Sequence, residues 1–297
     1  MKNRFRIMTL QIICNFIPTA ESNNRMNCKL VQPPDYLKRY VRYFWILEGG
    51  SNGCAPTTFV ALPDGCPGMI FGQAEEGTFS ESHDYKLPEV FLYGQTTKHT
   101  EIRTAGKFNT IGVYFYPDAV KSIFGFSAVE ITNTCLDVDL TSKKTDYNLA
   151  ERLLNSSSQA HQIELISGYL INLITKNRNV PDDLTQHAVS KMISSNGNIT
   201  LKELQQDLRL SERSFERRFN QHIGISPKLF SRVCRFQASL SQLRNNKYNI
   251  LTDVAFENGY ADQSHFIRSF KEFTGFSPEQ YQKQSNELVE NFPELIK

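Results

Sequence analysis

Two periods of hydrophobic spacing divide this chain. Between Met26 and about Val129, apolar and aromatic residues come in short runs punctuated by Pro and Gly; from Thr145 onward they recur at helical spacing. Tyr40–Leu47 is aromatic and β-branched, Thr57–Leu62 runs into a Pro63-Asp64-Gly65 turn, and Met69–Gly72, Val90–Tyr93 and His99–Thr104 follow. Phe108–Tyr116 alternates, with Ile111, Val113 and Phe115 on one face and Tyr114 and Tyr116 on the other. Short strands between turn residues predict a β-sandwich or small barrel, with a short helix at Asp118–Phe124. Helices are predicted at Asp146–Asn155 and Gln162–Lys176. In the second, Ile163, Ile166, Leu170 and Leu173 keep a three-four spacing, and Leu165, Tyr169, Ile171 and Ile174 widen the apolar face. That surplus fits a helix buried in its own domain or a dimer seam. Lys176–Asp183 is polar, contains Pro181, and reads as a linker.

The C-terminal third contains an internal repeat. Ser211-Glu212-Arg213-Ser214-Phe215-Glu216-Arg217-Arg218-Phe219, followed by Gly224-Ile225-Ser226-Pro227, recurs 51 residues later. The second copy is Asp262-Gln263-Ser264-His265-Phe266-Ile267-Arg268-Ser269-Phe270, followed by Gly275-Phe276-Ser277-Pro278. In each copy a good N-cap (Ser211, Asp262) opens a helix. Two Phe residues four apart face inward, a Gly ends the helix, and Ser-Pro starts the next one. A shorter helix precedes each copy. Thr200-Leu201-Lys202-Glu203 is a capping box opening Leu201–Leu208, and Ile250–Asn258 ends at Gly259. Helix, tight turn and second helix is the helix-turn-helix arrangement, whose second helix can enter a major groove. Arg213, Glu216, Arg217 and Arg218 point outward on the first of these helices, and Gln263, Ser264, His265, Ile267 and Arg268 on the second. Arg suits guanine, Gln adenine, and Glu can accept from cytosine.

Composition narrows the alternatives. At 297 residues, with 40% hydrophobic and 22% charged residues, the chain is an ordinary globular protein with room for two domains. The net charge of +2 does not announce a nucleic-acid partner, and residues 198–283 hold thirteen Lys/Arg against nine Asp/Glu, a mild local excess. The six cysteines are scattered without a C-x-x-C pair, as expected of buried thiols rather than a disulfide framework or structural zinc. The six histidines show no H-x-H or H-E-x-x-H spacing, and there is no phosphate-binding Gly loop or G-x-S-x-G. No catalytic constellation, metal site or cofactor site is therefore expected. A DNA-repair methyl acceptor fused to the same module would need clustered cysteines that this chain lacks. Tyr40, Tyr43, Trp45, Tyr114 and Tyr116 remain candidates for lining an effector pocket, against the plainer reading as sheet core or surface. Met1–Ala20 loosely fits a signal peptide, with Lys2, Arg4 and Arg6 before Ile7–Ile17, and is too short to span a membrane. The preferred reading takes residues 1–25 as a leader or a misassigned start before Met26, without order.

Residues 184–284 resemble the DNA-binding domain of the AraC/XylS family of transcription regulators. The string that carries the resemblance begins Val254-Ala255 and continues as Gly259-Tyr260-Ala261-Asp262-Gln263-Ser264-His265-Phe266. Arg268, Phe270-Lys271, Gly275-Phe276-Ser277-Pro278 and Tyr281 complete it. The resemblance implies an all-helical module with Pro227–Arg244 as the connector. It also implies two recognition helices reading successive major grooves, about one turn (~34 Å) apart. By position it places base contacts on Arg213, Glu216, Arg217, Gln263, Ser264 and Arg268, with Lys228, Arg232 and Lys271 as phosphate contacts. The first unit departs from the pattern: Gln205 and Arg209 replace the usual Ala and Gly, and its turn is one residue shorter. Since a left-handed Arg209 costs about 1–2 kcal/mol, this turn is expected to take another path. Tyr40-Val41-Arg42-Tyr43-Phe44-Trp45, Leu62-Pro63-Asp64-Gly65-Cys66, Tyr93-Gly94-Gln95-Thr96-Thr97 and Gly112-Val113-Tyr114-Phe115-Tyr116-Pro117 resemble an uncharacterised β-rich domain found ahead of such modules.

The expected architecture is α+β. A leader spans 1–25, a β-rich sandwich or barrel-like sensory or dimerisation domain with trailing helices 26–176, and a linker 177–183. The AraC-type domain, two helix-turn-helix units joined by a long helix, spans 184–284, and a tail 285–297. The expected function is a cytoplasmic, sequence-specific regulator, activator or repressor, that binds double-stranded DNA and no membrane. Its further expected partners are RNA polymerase, a small-molecule effector or protein partner, and a second copy of the chain. The alternative is a DNA-binding module fused to a catalytic or protein-interaction domain.

Overall fold

The computed structural model describes residues 16–18, 27–50, 57–81, 85–141 and 147–283. Among these, nine strands form one antiparallel sheet: β1 (Phe16–Pro18), β2 (Asn27–Val31), β3 (Val41–Gly50), β4 (Thr57–Ala61), β5 (Gly68–Glu81), β6 (Tyr85–Lys86), β7 (Val90–Tyr93), β8 (Thr100–Phe115) and β9 (Cys135–Asp137). The expected leader and tail lie outside the described residues, except that Phe16–Pro18 pairs with β4, Phe16 opposite Ala61. Backbone pairing thus gives order to part of a segment expected to have none.

The sheet is organised by β8. The two runs read separately as His99–Thr104 and Phe108–Tyr116 are one strand, which passes through Gly106 at φ +65°. One edge of β8 pairs with β4 and then β3, and the other with β5. The alternation read from the sequence separates two apolar faces. Phe44, Ile46, Met69, Phe71, Ile111, Val113 and Phe115 face the helices α1 (Ala119–Phe124), α3 (Leu149–Leu154) and α4 (Gln159–Asn177). Tyr43, Trp45, Phe59, Ile70, Phe79, Phe91, Phe108 and Tyr114 form a second buried cluster on the opposite face. These aromatic residues come from strands spread across the sheet and pack edge to face, as in Phe59–Phe108 and Phe79–Phe108. The single sheet thus carries a buried apolar cluster on each of its faces. Tyr43, Trp45 and Tyr114 are core, whereas Tyr40 and Tyr116 are partly buried beside the helix-facing cluster. A short helix α2 (Val138–Thr141) lies before α3.

The helix predicted at Gln162–Lys176 is α4, begun three residues earlier by the Ser158 cap. Ile166, Tyr169 and Leu170 are buried in its own domain, and the flanking Ile163, Leu165, Ile171, Leu173 and Ile174 pack at the edge of the same core. Of the helix predicted from Asp146, residues 149–154 are helical; Asp146 itself is outside the described residues.

The C-terminal region is all helical: α5 (Asp183–Ser194), α6 (Leu201–Leu208), α7 (Glu212–Ile223), α8 (Pro227–Arg244), α9 (Leu251–Glu257) and α10 (Gln263–Thr274), with residues 278–283 helical again. The segment read as a linker is pinned at several points. Asn177 donates to the Ile123 carbonyl at 2.6 Å and Asn179 to that of Lys121 at 3.2 Å. Asp183, in the first turn of α5, pairs with Arg39 at 2.9 Å. Val60 and Leu62 of the sheet domain belong to the same apolar cluster as the C-terminal helices, so the two regions share packing. Cys66, Cys135 and Cys234 carry thiols outside any disulfide. Among the described residues no helix is long and apolar enough to cross a membrane.

Candidate nucleic-acid interface

The two repeats fold into equivalent units mounted on opposite stretches of α8. In the first, Thr200 caps α6 through the expected box, accepting from the Glu203 amide while the Glu203 carboxylate accepts from the Thr200 amide. In the second, α9 starts at Ile250, where the Asp253 carboxylate accepts from the Ile250 amide.

The turns after α6 and α9 close alike. Arg209 sits at φ +53° and Gly259 at φ +74°. The Arg209 amide donates to the Gln206 carbonyl and the Leu210 amide to that of Gln205; in the second unit Gly259 donates to Phe256 and Tyr260 to Ala255. This is one helix-ending motif, built twice. The expected detour at Arg209 is thus corrected: the residue takes the left-handed conformation, at about 1–2 kcal/mol, because the alternative leaves helix carbonyls unpaired. The shorter turn is present: Arg209 lies two residues before its N-cap Ser211, whereas Gly259 lies three before Asp262.

The second helices keep the same division of faces. In α7, Ser211 accepts from the Ser214 amide, Phe215, Phe219 and Ile223 are buried, and Gly224 closes the helix at φ +96°. In α10, Asp262 accepts from the His265 amide at 2.7 Å, Phe266, Phe270 and Phe273 are buried, and Gly275 closes it at φ +80°. Phe219 meets Phe230, and Phe270 meets Phe236, each at 5.5 Å between ring centres, so both helices rest on α8.

Arg213, Glu216 and Arg217 are exposed on α7, and Ser264 and Arg268 on α10. Gln263 is half-buried at the start of α10, where its Oε1 accepts from Thr252 Oγ1 at 2.8 Å. Lys228 and Lys271 are exposed. Arg232 is committed to an ion pair with Glu272 at 2.5 Å and lies over the Phe273 ring, so it braces α10 against α8.

Arg218 departs from the sequence reading. It is held by Asp182, with Nε and Nη2 donating at 2.8 and 2.7 Å, and does not join the outward set. Asp182 also caps α5 through the Thr185 amide and lies 4.0 Å from His222 Nε2. Burial alone would raise the Asp182 carboxyl, but the hydrogen bonds from Arg218 and Thr185 and the nearby His222 outweigh it and hold its pKa down at about 2. Burial pushes His222 below the usual imidazole range in spite of Asp182. The signal for this lock was in the sequence, since Asp182 follows Pro181 where an N-cap belongs, but its partner 36 residues away was not.

Comparison with known proteins places these observations. Residues 204–284 match the model of a helix-turn-helix domain, and residues 29–137 that of a domain of unknown function (DUF6597). An uncharacterized HTH-type transcriptional regulator of Haemophilus influenzae is 35% identical over 83 residues, 28% of each chain. Another, from Staphylococcus aureus, is 29% identical over 93 residues, 31% of this chain and 12% of that protein. The aligned part thus spans under a third of the length of either relative. The solved structure of ToxT from Vibrio cholerae aligns over 89% of this chain and 99% of its own, at 14% identity and a TM-score of 0.44.

Proposed function

We propose that this chain, whose C-terminal region is an AraC-type helix-turn-helix domain joined to a DUF6597 domain, is a cytoplasmic, sequence-specific DNA-binding transcription regulator. The observation that carries the proposal is the duplication itself. Two units with the same turn closure, the same buried Phe pair and the same capping logic each present an exposed polar helix face, and both are fixed to one connector. Such a pair suits successive major grooves on one side of a duplex. Arg213, Glu216 and Arg217 would read one block, and Gln263, Ser264 and Arg268 the other. Gln263 would present its amide nitrogen, its oxygen being held by Thr252. Lys228 and Lys271 would meet phosphates; Arg232 would do so only by sharing its charge with Glu272. The sheet domain would serve as the sensory or dimerisation half, responding to an effector or protein partner, with RNA polymerase and a second copy of the chain as further partners. Among the described residues no group of three or more His, Cys, Asp or Glu is arranged to hold a metal ion.

The test is selection of bound sequences from random duplex DNA with the full-length protein, followed by a salt titration of the winners. Two short blocks about one helical turn apart support reading by both units. A single block confines reading to one unit, and no enrichment removes the proposal.

A further inference from the structure

The loop of residues 62–67, between β4 and β5, is gripped from two sides. From the aromatic interior of the sheet, Tyr114 Oη donates to Asp64 Oδ2 at 2.6 Å, and Asp64 Oδ1 accepts from the Cys66 amide at 2.9 Å. Gln95, fully buried, donates through Nε2 to the Gly65 carbonyl at 2.8 Å, and Arg42 reaches Cys66 Sγ at 3.6 Å. From the opposite side, Gln237 of α8 donates to the Pro63 carbonyl. Gly65, at φ +79°, packs so closely under α8 that a Cβ there would stand 3.1 Å from the Phe230 ring and 3.7 Å from Val233. Phe230, Val233 and Gln237 are successive contacts along the connector that carries both helix-turn-helix units. Few shifts of this loop leave both grips intact.

The interior grip also has groups left unpaired. Tyr43 Oη and Gln95 Oε1 are buried without a hydrogen-bond partner, and the Tyr43 ring stacks on Tyr114 at 5.0 Å. Leaving such groups unpaired carries a cost of desolvation.

We propose that the 62–67 loop is a positioning element that transmits the arrangement of Tyr114, Gln95 and Arg42 inside the sheet to α8, and thereby sets how the two reading helices stand relative to one another. Asp64, Gly65 and Pro63 are its three joints. This assignment rests on the DNA-reading function proposed above only in its consequence, not in its mechanics.

The experiment is a double-mutant cycle in the full chain: Tyr114→Phe, which keeps the ring stack and removes the hydroxyl, Gln237→Met, which keeps the bulk and removes the donor, and both together. Gln95→Leu supplies a second cut on the interior side. Amide hydrogen exchange of residues 230–237 is followed without DNA, and affinity for the selected duplex with its block spacing correct or shifted is followed with it. Tyr114→Phe is expected to speed exchange along α8 and to narrow the discrimination between spacings, each by about fivefold or more. In the Gln237→Met background it should add less than about twofold, because the link is already cut. Equal effects in both backgrounds, or an α8 unmoved by Tyr114→Phe and Gln95→Leu, would overturn the proposal. If the wild-type protein selects no sequence, the DNA-reading function falls, while the exchange measurements still decide the loop.

Discussion

In the first helix-turn-helix unit a left-handed Arg209 closes the turn; in the second a left-handed Gly259 does, and both turns carry the same two backbone hydrogen bonds. The buried anchors repeat as closely: Phe215 and Phe219 against Phe266 and Phe270. What does not repeat is the periphery. Arg218 of the first unit is bound to Asp182 at the start of α5, and the sheet domain touches that unit again where Thr132 Oγ1 donates to the Gly224 carbonyl at 2.7 Å. The second unit meets the sheet domain at the matching glycine, Gly275, which packs against the His99 ring rather than a hydrogen-bonding hydroxyl, and is braced within its own domain by Arg232 and Glu272. The comparison separates two kinds of position. Inward Phe residues, caps and turn carbonyls have to be satisfied wherever the unit occurs, so they are constrained. Outward side chains have no such duty, and differences there are available for reading different sequences.

The equivalence of the units breaks most visibly at their aromatic anchors. Phe219→Ala or Phe270→Ala removes a fully buried ring and is expected to cost about 3–5 kcal/mol. Because both rings rest on α8 within one cluster, either loss should lower the urea midpoint of both units together. Circular dichroism and the fluorescence of Trp45 in the sheet domain should then give coincident transitions. A two-step curve in one variant alone would show that the units are not mounted equally.

The next largest effect falls on the first unit only. Asp182→Ala removes the α5 cap and leaves the half-exposed Arg218 without its partner, at about 1–3 kcal/mol by chemical denaturation. The lock also has a sign in pH. The Asp182 pKa is depressed to about 2 in the folded chain, below an unfolded value of about 3.9. Its contribution is therefore fully present above about pH 4 and is lost as pH falls toward 2. Asp182→Asn, which retains a capping oxygen, should flatten stability across that window relative to wild type. An unchanged acid profile would mean that Asp182 contributes nothing through its charge.

Much of this contrast was legible before any coordinates. The Phe pair, the Gly-Ser-Pro stop-and-start and the N-caps are local signals separated by three to five residues, and the connector was bounded correctly at Pro227–Arg244. The alternation of Ile111, Val113 and Phe115 against Tyr114 likewise holds in β8, but Tyr116, read on the Tyr114 face, packs with the helix-facing cluster because the strand ends at Phe115. What failed to show were contacts between residues far apart in sequence. The pairing of β8 with three other strands, Arg218 with Asp182, and Gln237 with Pro63 depend on tertiary packing and have no periodicity to betray them. Arg209 was misread for a different reason. Its local cost is real, but an unpaired set of helix carbonyls costs at least as much, so the backbone pattern prevailed over the residue's preference.

Reading by both units would sharpen the comparison at their outer faces. Arg217→Ala and Arg268→Ala should each relax base preference at one position, in different blocks of the selected site, and weaken the best site by about 1–3 kcal/mol. Lys228→Ala should instead weaken all sequences alike and reduce the salt slope by about one. Binding curves at two or more salt concentrations, with single-base variants of the site, separate these behaviours. If Arg268→Ala changes neither affinity nor preference, α10 does not read bases through that residue.

The smallest effect probes the turns themselves. Arg209→Gly removes a side chain from a left-handed position that costs an L-residue about 1–2 kcal/mol. It also adds backbone freedom to the unfolded chain, worth about 0.5–1 kcal/mol in the opposite direction. The net expectation is a stabilisation of about 0.5–1 kcal/mol, readable as a higher urea midpoint at unchanged slope. The reciprocal change is not its mirror. Gly259→Ala adds the left-handed penalty and also drives a Cβ into the Asn198 side chain, which has to move, so it should destabilise by more than Arg209→Gly stabilises. If Arg209→Gly instead lowers the midpoint, the arginine side chain holds the first turn in a way that the glycine of the second unit never needs. The two units would then share a backbone but not the forces that close it.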